Sequence, residues 1–202
     1  EISHLYEYLT FQFILGEGTM FSNIYKVQTG HYITLDLNSW KLNSVKYWEP
    51  DFETDLFHTE KYYLSELQKI LGDTIRQQMR SDVTIGTYLS GGMDSSLVTI
   101  MSSVLSGKPL KSFSGAFHEG PEFNELYYAR IAAQKAKSEL YEIYPTQQEF
   151  IDLLPKLIYH LDEPVAGPGL FPQYMVSKFA SDHVKVILGG QGGDEIFGGY
   201  AR

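Results

Sequence analysis

Cysteine is absent from this 202-residue chain. No disulfide can form, a usage that fits the reducing cytoplasm. Long apolar runs are missing too: nothing approaches the roughly 20 residues that a membrane-crossing helix needs. Positive charge is scarce, with 16 Lys and Arg against 25 Asp and Glu and a net charge of −9. That balance disfavours nucleic acid and anionic membranes, which are gripped by clustered Lys and Arg. A local basic pocket for one nucleotide is still allowed. The chain opens on Glu1-Ile2-Ser3-His4 with neither a signal peptide nor an initiator methionine, and closes on Gly199-Tyr200-Ala201-Arg202 without a helix stop signal. It reads as a piece of a longer protein.

The pattern changes along the chain. Residues 1 to about 50 are aromatic-rich and strand-like. His31 to Leu37 alternates β-formers, turn-prone Asn38-Ser39 follows, and a second extended run reaches Trp48, which predicts a β-hairpin. Pro50 and the acidic stretch to Asp55 read as a linker. Residues 56–202 alternate helix and strand signals. Leu64, Leu67, Leu71 and Ile75 share one helical face; Val83 to Leu89 is a short β-rich run; Leu97, Ile100, Met101 and Val104 recur at helical spacing until Gly107. Ser112 to Phe117 predicts a strand, Leu126 to Ala136 a helix and Tyr141 to Tyr144 a strand. Thr146 and Glu149 form a capping box before an apolar stripe from Phe150 to Leu161, which Pro155 should bend or break. Phe171 to Asp182 is a weaker helix signal, and Val184 to Leu188 has the composition of a buried parallel strand. Such alternation predicts an α/β fold with a parallel sheet, whose ligands bind beyond the carboxyl ends of the strands.

Two glycine-rich loops fall at such ends. In Ser90-Gly91-Gly92-Met93-Asp94-Ser95-Ser96, two glycines let backbone N–H groups turn inward, and a helix start follows with its positive dipole end. Asp94 would repel phosphate directly but is well placed if Mg2+ lies between them. The bland reading is a tight turn in which Asp94 or Ser95 merely caps the helix. The loop is not a Walker A loop, which needs Gly-Lys-Ser/Thr.

The sequence Ser90-Gly91-Gly92-Met93-Asp94-Ser95 resembles the SGGxDS loop of ATP-pyrophosphatases, which cleave ATP between its α and β phosphates. The second loop, Gly189-Gly190-Gln191-Gly192-Gly193-Asp194-Glu195-Ile196-Phe197-Gly198-Gly199-Tyr200, is similar to the asparagine synthetase signature SGxGxDExFGGY. Upstream, Gly30-His31-Tyr32 through Tyr47-Trp48-Glu49-Pro50 is similar to the end of that family's glutaminase domain. The resemblance covers essentially the whole chain. It implies a β-rich remnant of an Ntn-type glutaminase domain (1–55) and an incomplete, adenine nucleotide alpha hydrolase-like PP-loop domain (56–202).

Carried over residue by residue, the resemblance implies that Ser90, Gly91, Gly92, Asp94, Ser95 and Ser96 hold pyrophosphate. Leu89 and the backbone near Gly115 would border adenine, and Gly189 with Gly190 would line the α-phosphate or ribose side. Tyr159-His160-Leu161-Asp162-Glu163-Pro164 is similar to a family segment whose aspartate, Asp162, would join Asp94 on Mg2+. Asp162 could instead close a helix, and Tyr159 could be a core aromatic rather than a catalytic one. Asp194 and Glu195 could bind metal or substrate, or brace their loop.

Two departures bear on the substrate. Gly189 stands where the family commonly has Ser, and Gln191 where many relatives carry an acidic residue. An amide cannot act as a base, though it can position a substrate by hydrogen bonding. The implied chemistry is ATP-dependent and takes two steps. A substrate carboxylate attacks the α-phosphorus, releasing pyrophosphate, and ammonia from glutamine then displaces AMP. The acceptor is aspartate or another acid, such as a sugar acid. The family's glutaminase uses a nucleophilic N-terminal cysteine, which this chain does not contain; the rest of that domain is the implied partner, and a homodimer is compatible. Two other readings stay open: another ATP-pyrophosphatase, such as a β-lactam-forming cyclase or a tRNA-modifying enzyme, and a degenerate nucleotide-binding module without activity.

Overall fold

Four short strands rich in β-branched and aromatic residues build the sheet that positions the glycine loops. They are β3 (Ile85–Tyr88), β4 (Lys111–Gly115), β5 (Glu139–Ile143) and β6 (Val186–Leu188), all parallel, in the order β5-β4-β3-β6. The chain lays down β3, β4 and β5 in one direction, then returns to place β6 on the other side of β3. The strand order therefore reverses between β3 and β6, the switch point at which open α/β sheets bind their ligands.

The computed structural model describes residues 1–118, 125–163, 167 and 169–199. The chain divides into two units, Glu1–Phe57 with Pro155–Gly167, and His58–Leu154 with Pro168–Arg202. Among the described residues no helix is long and apolar enough to cross a membrane.

In the first unit, β1 (His31–Asp36) and β2 (Lys41–Lys46) form the expected antiparallel hairpin. Asp36 organises the turn by accepting from the Asn38 N–H at 2.8 Å and the Ser39 hydroxyl at 2.8 Å. These bonds, the Asn38 amide first, hold the Asp36 carboxyl below its ordinary value. The strand-like reading of the first residues needs correction, because Ile2–Phe11 is a helix, α1. Ile2, Leu5, Tyr6 and Leu9 already stand at helical spacing there, and aromatic content outweighed periodicity in the sequence reading.

In the second unit, α2 (Glu60–Gln78) starts at Thr59, which accepts from the Tyr62 N–H. Next come α3 (Met93–Ser106), ended by Gly107 at φ 65°, and α4 (Leu126–Ala136). The capping box closes as expected at the start of α5 (Gln147–Leu161): Glu149 Oε2 accepts from the Thr146 N–H at 2.8 Å, and Thr146 Oγ1 accepts from the Glu149 N–H at 3.3 Å. Pro155 lies inside a helix that runs on without a break, and the division between the two units falls there. The remaining helices are α6 (Leu170–Ser181) and the short α7 (Gly193–Phe197).

The core has two halves, one on each side of the sheet. Leu89, Ala116, Leu126 and Ala129 pack towards α4, and Phe113, Val176, Ala180 and Val184 pack towards α6. A seam of small hydroxyls joins the sheet to α3: Thr99 donates to Thr87 Oγ1 at 3.1 Å, and Thr87 pairs with Ser112 at 2.9 Å. On the other face Phe113, 1% exposed, stacks on Tyr141 with ring centres 5.3 Å apart. Phe113→Ala is expected to lower the unfolding free energy by about 3–5 kcal/mol, the range for emptying a buried aromatic site. Urea denaturation followed by far-UV circular dichroism reads this directly.

Candidate nucleotide site

The first loop begins where β3 ends. Leu89, fully buried, donates its N–H to Phe113 O at 2.9 Å and so extends the ladder to β4 by one step. Gly91 then turns with φ +100°, and a Cβ there would come 2.6 Å from Glu125 O and 2.9 Å from Ala129 N. The loop thus lies directly on the start of α4, where only glycine fits. Gly92 is the N-cap of α3 and offers no side chain to its first turn. That helix start therefore presents uncapped N–H groups and the positive end of the dipole.

The loop serines bond mainly to one another. Ser95 Oγ donates to Gly92 O at 3.2 Å, accepts from the Ser90 N–H at 3.2 Å and lies 2.9 Å from Ser90 Oγ. Ser90 Oγ in turn accepts from the Gly92 N–H at 3.2 Å. Ser95 is buried and Ser90 exposed.

The second loop begins at the end of β6 and meets the first. A Cβ on Gly190 would lie 2.8 Å from Asp94 Cβ and 2.8 Å from Ser95 N, and one on Gly193 would run into the Asp94 carboxylate. Asp94 is therefore wedged between Gly190 and Gly193. The turn into α7 is made at Gly192, with φ +94°. The end of α7 closes through its main chain, with the Gly199 N–H donating to Asp194 O at 3.1 Å.

Both loops open on one cavity of about 820 Å3 within the second unit. Leu89, Ser90, Gly92, Asp94 and Ser95 line it from the first loop, Gly115 from β4, and Gly189, Gly190 and Gln191 from the second loop. Gln191 is exposed. Gly91 and Ser96 are not on the cavity wall; Gly91 faces α4 instead. Tyr159, 77% exposed on the last turn of α5, and Asp162, at φ 62° just after that helix, belong to the first unit. Sequence reasoning missed the opposite wall, formed by Tyr88, Phe113, Pro172, Gln173 and Val176. The weak periodicity of α6 gave no sign that its residues face a ligand.

Among the described residues the wall carries three carboxylates, Asp94, Asp194 and Glu195, and no Lys, Arg or His. No group of three or more His, Asp or Glu side chains among them could hold a metal ion unaided. The allowed basic pocket is thus not found on the described wall. The cavity's size, the close approach of the second loop at Gly190 and the uncapped start of α3 are features that a nucleotide would use. A phosphate beside Asp94 would need a cation between them, and Mg2+ usually binds through one or two carboxylates plus phosphate oxygens.

Comparison with known proteins gives the lineage. The asparagine synthase family model matches residues 66–202. A putative glutamine-hydrolyzing asparagine synthetase of Methanocaldococcus jannaschii is 34% identical over 195 residues, spanning 96% of this chain and 37% of the relative. Asparagine synthetase 1 of Bacillus subtilis, also glutamine-hydrolyzing, is 33% identical, spanning 97% of this chain and 30% of the relative. This chain therefore spans about a third of the length of these relatives. Among solved structures, an NH3-dependent NAD synthetase from Campylobacter jejuni aligns with a TM-score of 0.47 at 16% identity, covering 68% of this chain and 60% of that one. On the match over residues 66–202, this chain belongs to the asparagine synthase family.

Proposed function

We propose that the cavity at the β3–β6 switch point binds ATP and activates a carboxylic acid for amide formation. The carrying observation is the meeting of the two glycine loops, so close that no Cβ fits at Gly190. In this reading the acid's carboxylate attacks the α-phosphorus, giving an acyl-adenylate and pyrophosphate. The pyrophosphate departs towards the uncapped start of α3 and the Ser90–Ser95 loop, where N–H donors meet its charge. Ammonia then displaces AMP and leaves the amide.

Asp94 would hold Mg2+ on the phosphates, and the ion would supply positive charge to the departing pyrophosphate. Asp162 and Tyr159 enter this reading only through the sequence resemblance. Ammonia derived from glutamine belongs to the same reading of the whole protein, as the printed names of the relatives describe for them. The nucleophilic cysteine of the family's glutaminase is not among the residues of this chain.

The acceptor is aspartate or another acid. Gln191 at the cavity wall favours the second option, since it can orient a substrate but take no proton. Acid-dependent exchange of labelled pyrophosphate into ATP tests the whole reading. The expected result is exchange that requires both Mg2+ and one acid from a panel of aspartate, sugar acids and peptide carboxylates. Exchange with aspartate alone would remove the argument from Gln191. ATP binding without exchange for any acid would instead mark a nucleotide-binding module.

A further inference from the structure

We propose that Tyr88 is a specificity-determining residue whose phenol oxygen accepts a hydrogen bond from the exocyclic amine of adenine. This rests on reading the cavity as an ATP site. The argument starts from proton bookkeeping in a short chain of hydroxyls. Ser177 donates its single hydroxyl proton to Gln173 O, one helical turn back, at 2.5 Å. Tyr88 Oη lies 2.6 Å from Ser177 Oγ. Since the serine proton is already engaged, Tyr88 must be the donor in that bond. Its own proton is then fixed on Ser177, and its oxygen offers the cavity only lone pairs.

The surroundings select the ligand group. Thr87 faces the α3 side of the sheet, where it bonds Ser112 and Thr99, so Tyr88 faces the α6 side. The uncapped start of α3, which suits the phosphates, lies across the strand ends from it. Around Tyr88 the wall is mostly apolar, with Phe113, Pro172 and Val176 beside Gln173. Gly115 adds no side chain there, and a Cβ on it would come 2.9 Å from Val176 Cγ2. A slot of this kind suits a flat base, and the Tyr88 oxygen, which can only accept, suits a base with an amine at its edge. Guanine would turn its O6 lone pairs on the Tyr88 oxygen, leaving both unpaired.

The test titrates the intact protein, with Mg2+, against ATP, GTP and purine riboside triphosphate, in which hydrogen replaces the amine. The wild type is expected to bind ATP about five- to tenfold tighter than the amine-free analogue, the worth of one neutral hydrogen bond. Tyr88→Phe should weaken ATP to the level of the analogue and leave the analogue unchanged. Ser177→Ala frees the Tyr88 proton to point into the cavity, so GTP should bind about fivefold tighter. A Tyr88→Phe variant that weakens ATP and analogue alike, or neither, overturns the proposal. Should that variant fail to fold, Ser177→Ala decides: an unchanged GTP affinity overturns it. A wild type that binds no ATP overturns the functional reading along with it, whereas ATP binding without these amine-dependent differences overturns this inference alone.

Discussion

Asp94→Asn is expected to lower acid-dependent ATP–pyrophosphate exchange by about a thousandfold, equivalent to roughly 4 kcal/mol of transition-state stabilisation. The substitution keeps the shape of the side chain, so its seat between Gly190 and Gly193 is preserved. What changes is charge. The described wall of the cavity has no cationic side chain, so in the proposed reaction the negative charge building on pyrophosphate would have to be met by a metal ion and by the start of α3. An uncharged amide is a poor ligand for a hard cation, which takes carboxylate and phosphate oxygens. Raising the Mg2+ concentration should restore part of the rate. The melting temperature should stay within a few degrees of wild type, because no packing is lost. Exchange within tenfold of wild type would reduce Asp94 to a wedge between two loops.

Gly190→Ala is expected to weaken ATP binding by about tenfold to a hundredfold, following the 1–3 kcal/mol typical of overpacking. The new methyl group would sit 2.8 Å from Asp94 Cβ and Ser95 N and 2.9 Å from Asp94 C. Two of those atoms are backbone at the start of α3, so relief requires the loops to part. The neighbouring position supplies the control. A Cβ on Gly189 would meet Tyr88 Cδ2 at 3.4 Å, an ordinary contact. Gly189→Ser should therefore fold normally and change ATP affinity by less than about threefold, on the scale of one neutral hydrogen bond. Titrating both variants with nucleotide separates a steric lock at 190 from a general intolerance of side chains in this loop.

Local signals made most of the second unit readable. Strands of three to five residues bounded by glycine and serine, and helices with apolar spacing, are set by neighbours in sequence, and Ile85–Tyr88, Leu126–Ala136 and the Thr146–Glu149 box all formed as their residues predict. The placement of β6 beside β3 is different, because strand order is a long-range choice that no local pattern encodes. The wedge of Asp94 between glycines about a hundred residues away follows from that choice, as does the wall contributed by α6. The helix at Ile2–Phe11 is masked in the sequence by its aromatic residues, which favour strands and none of which is buried. Tyr159 and Asp162 were placed by motif alone, and motif carries no information about which unit a helix end joins.

The closed circuit of Ser90, Ser95 and Gly92 bears on the resting state of this site. The hydroxyl protons of this loop already have acceptors, so the proposed pyrophosphate would compete with internal partners for the serine donors. In the proposed reaction that competition would ease release of the leaving group before each new cycle.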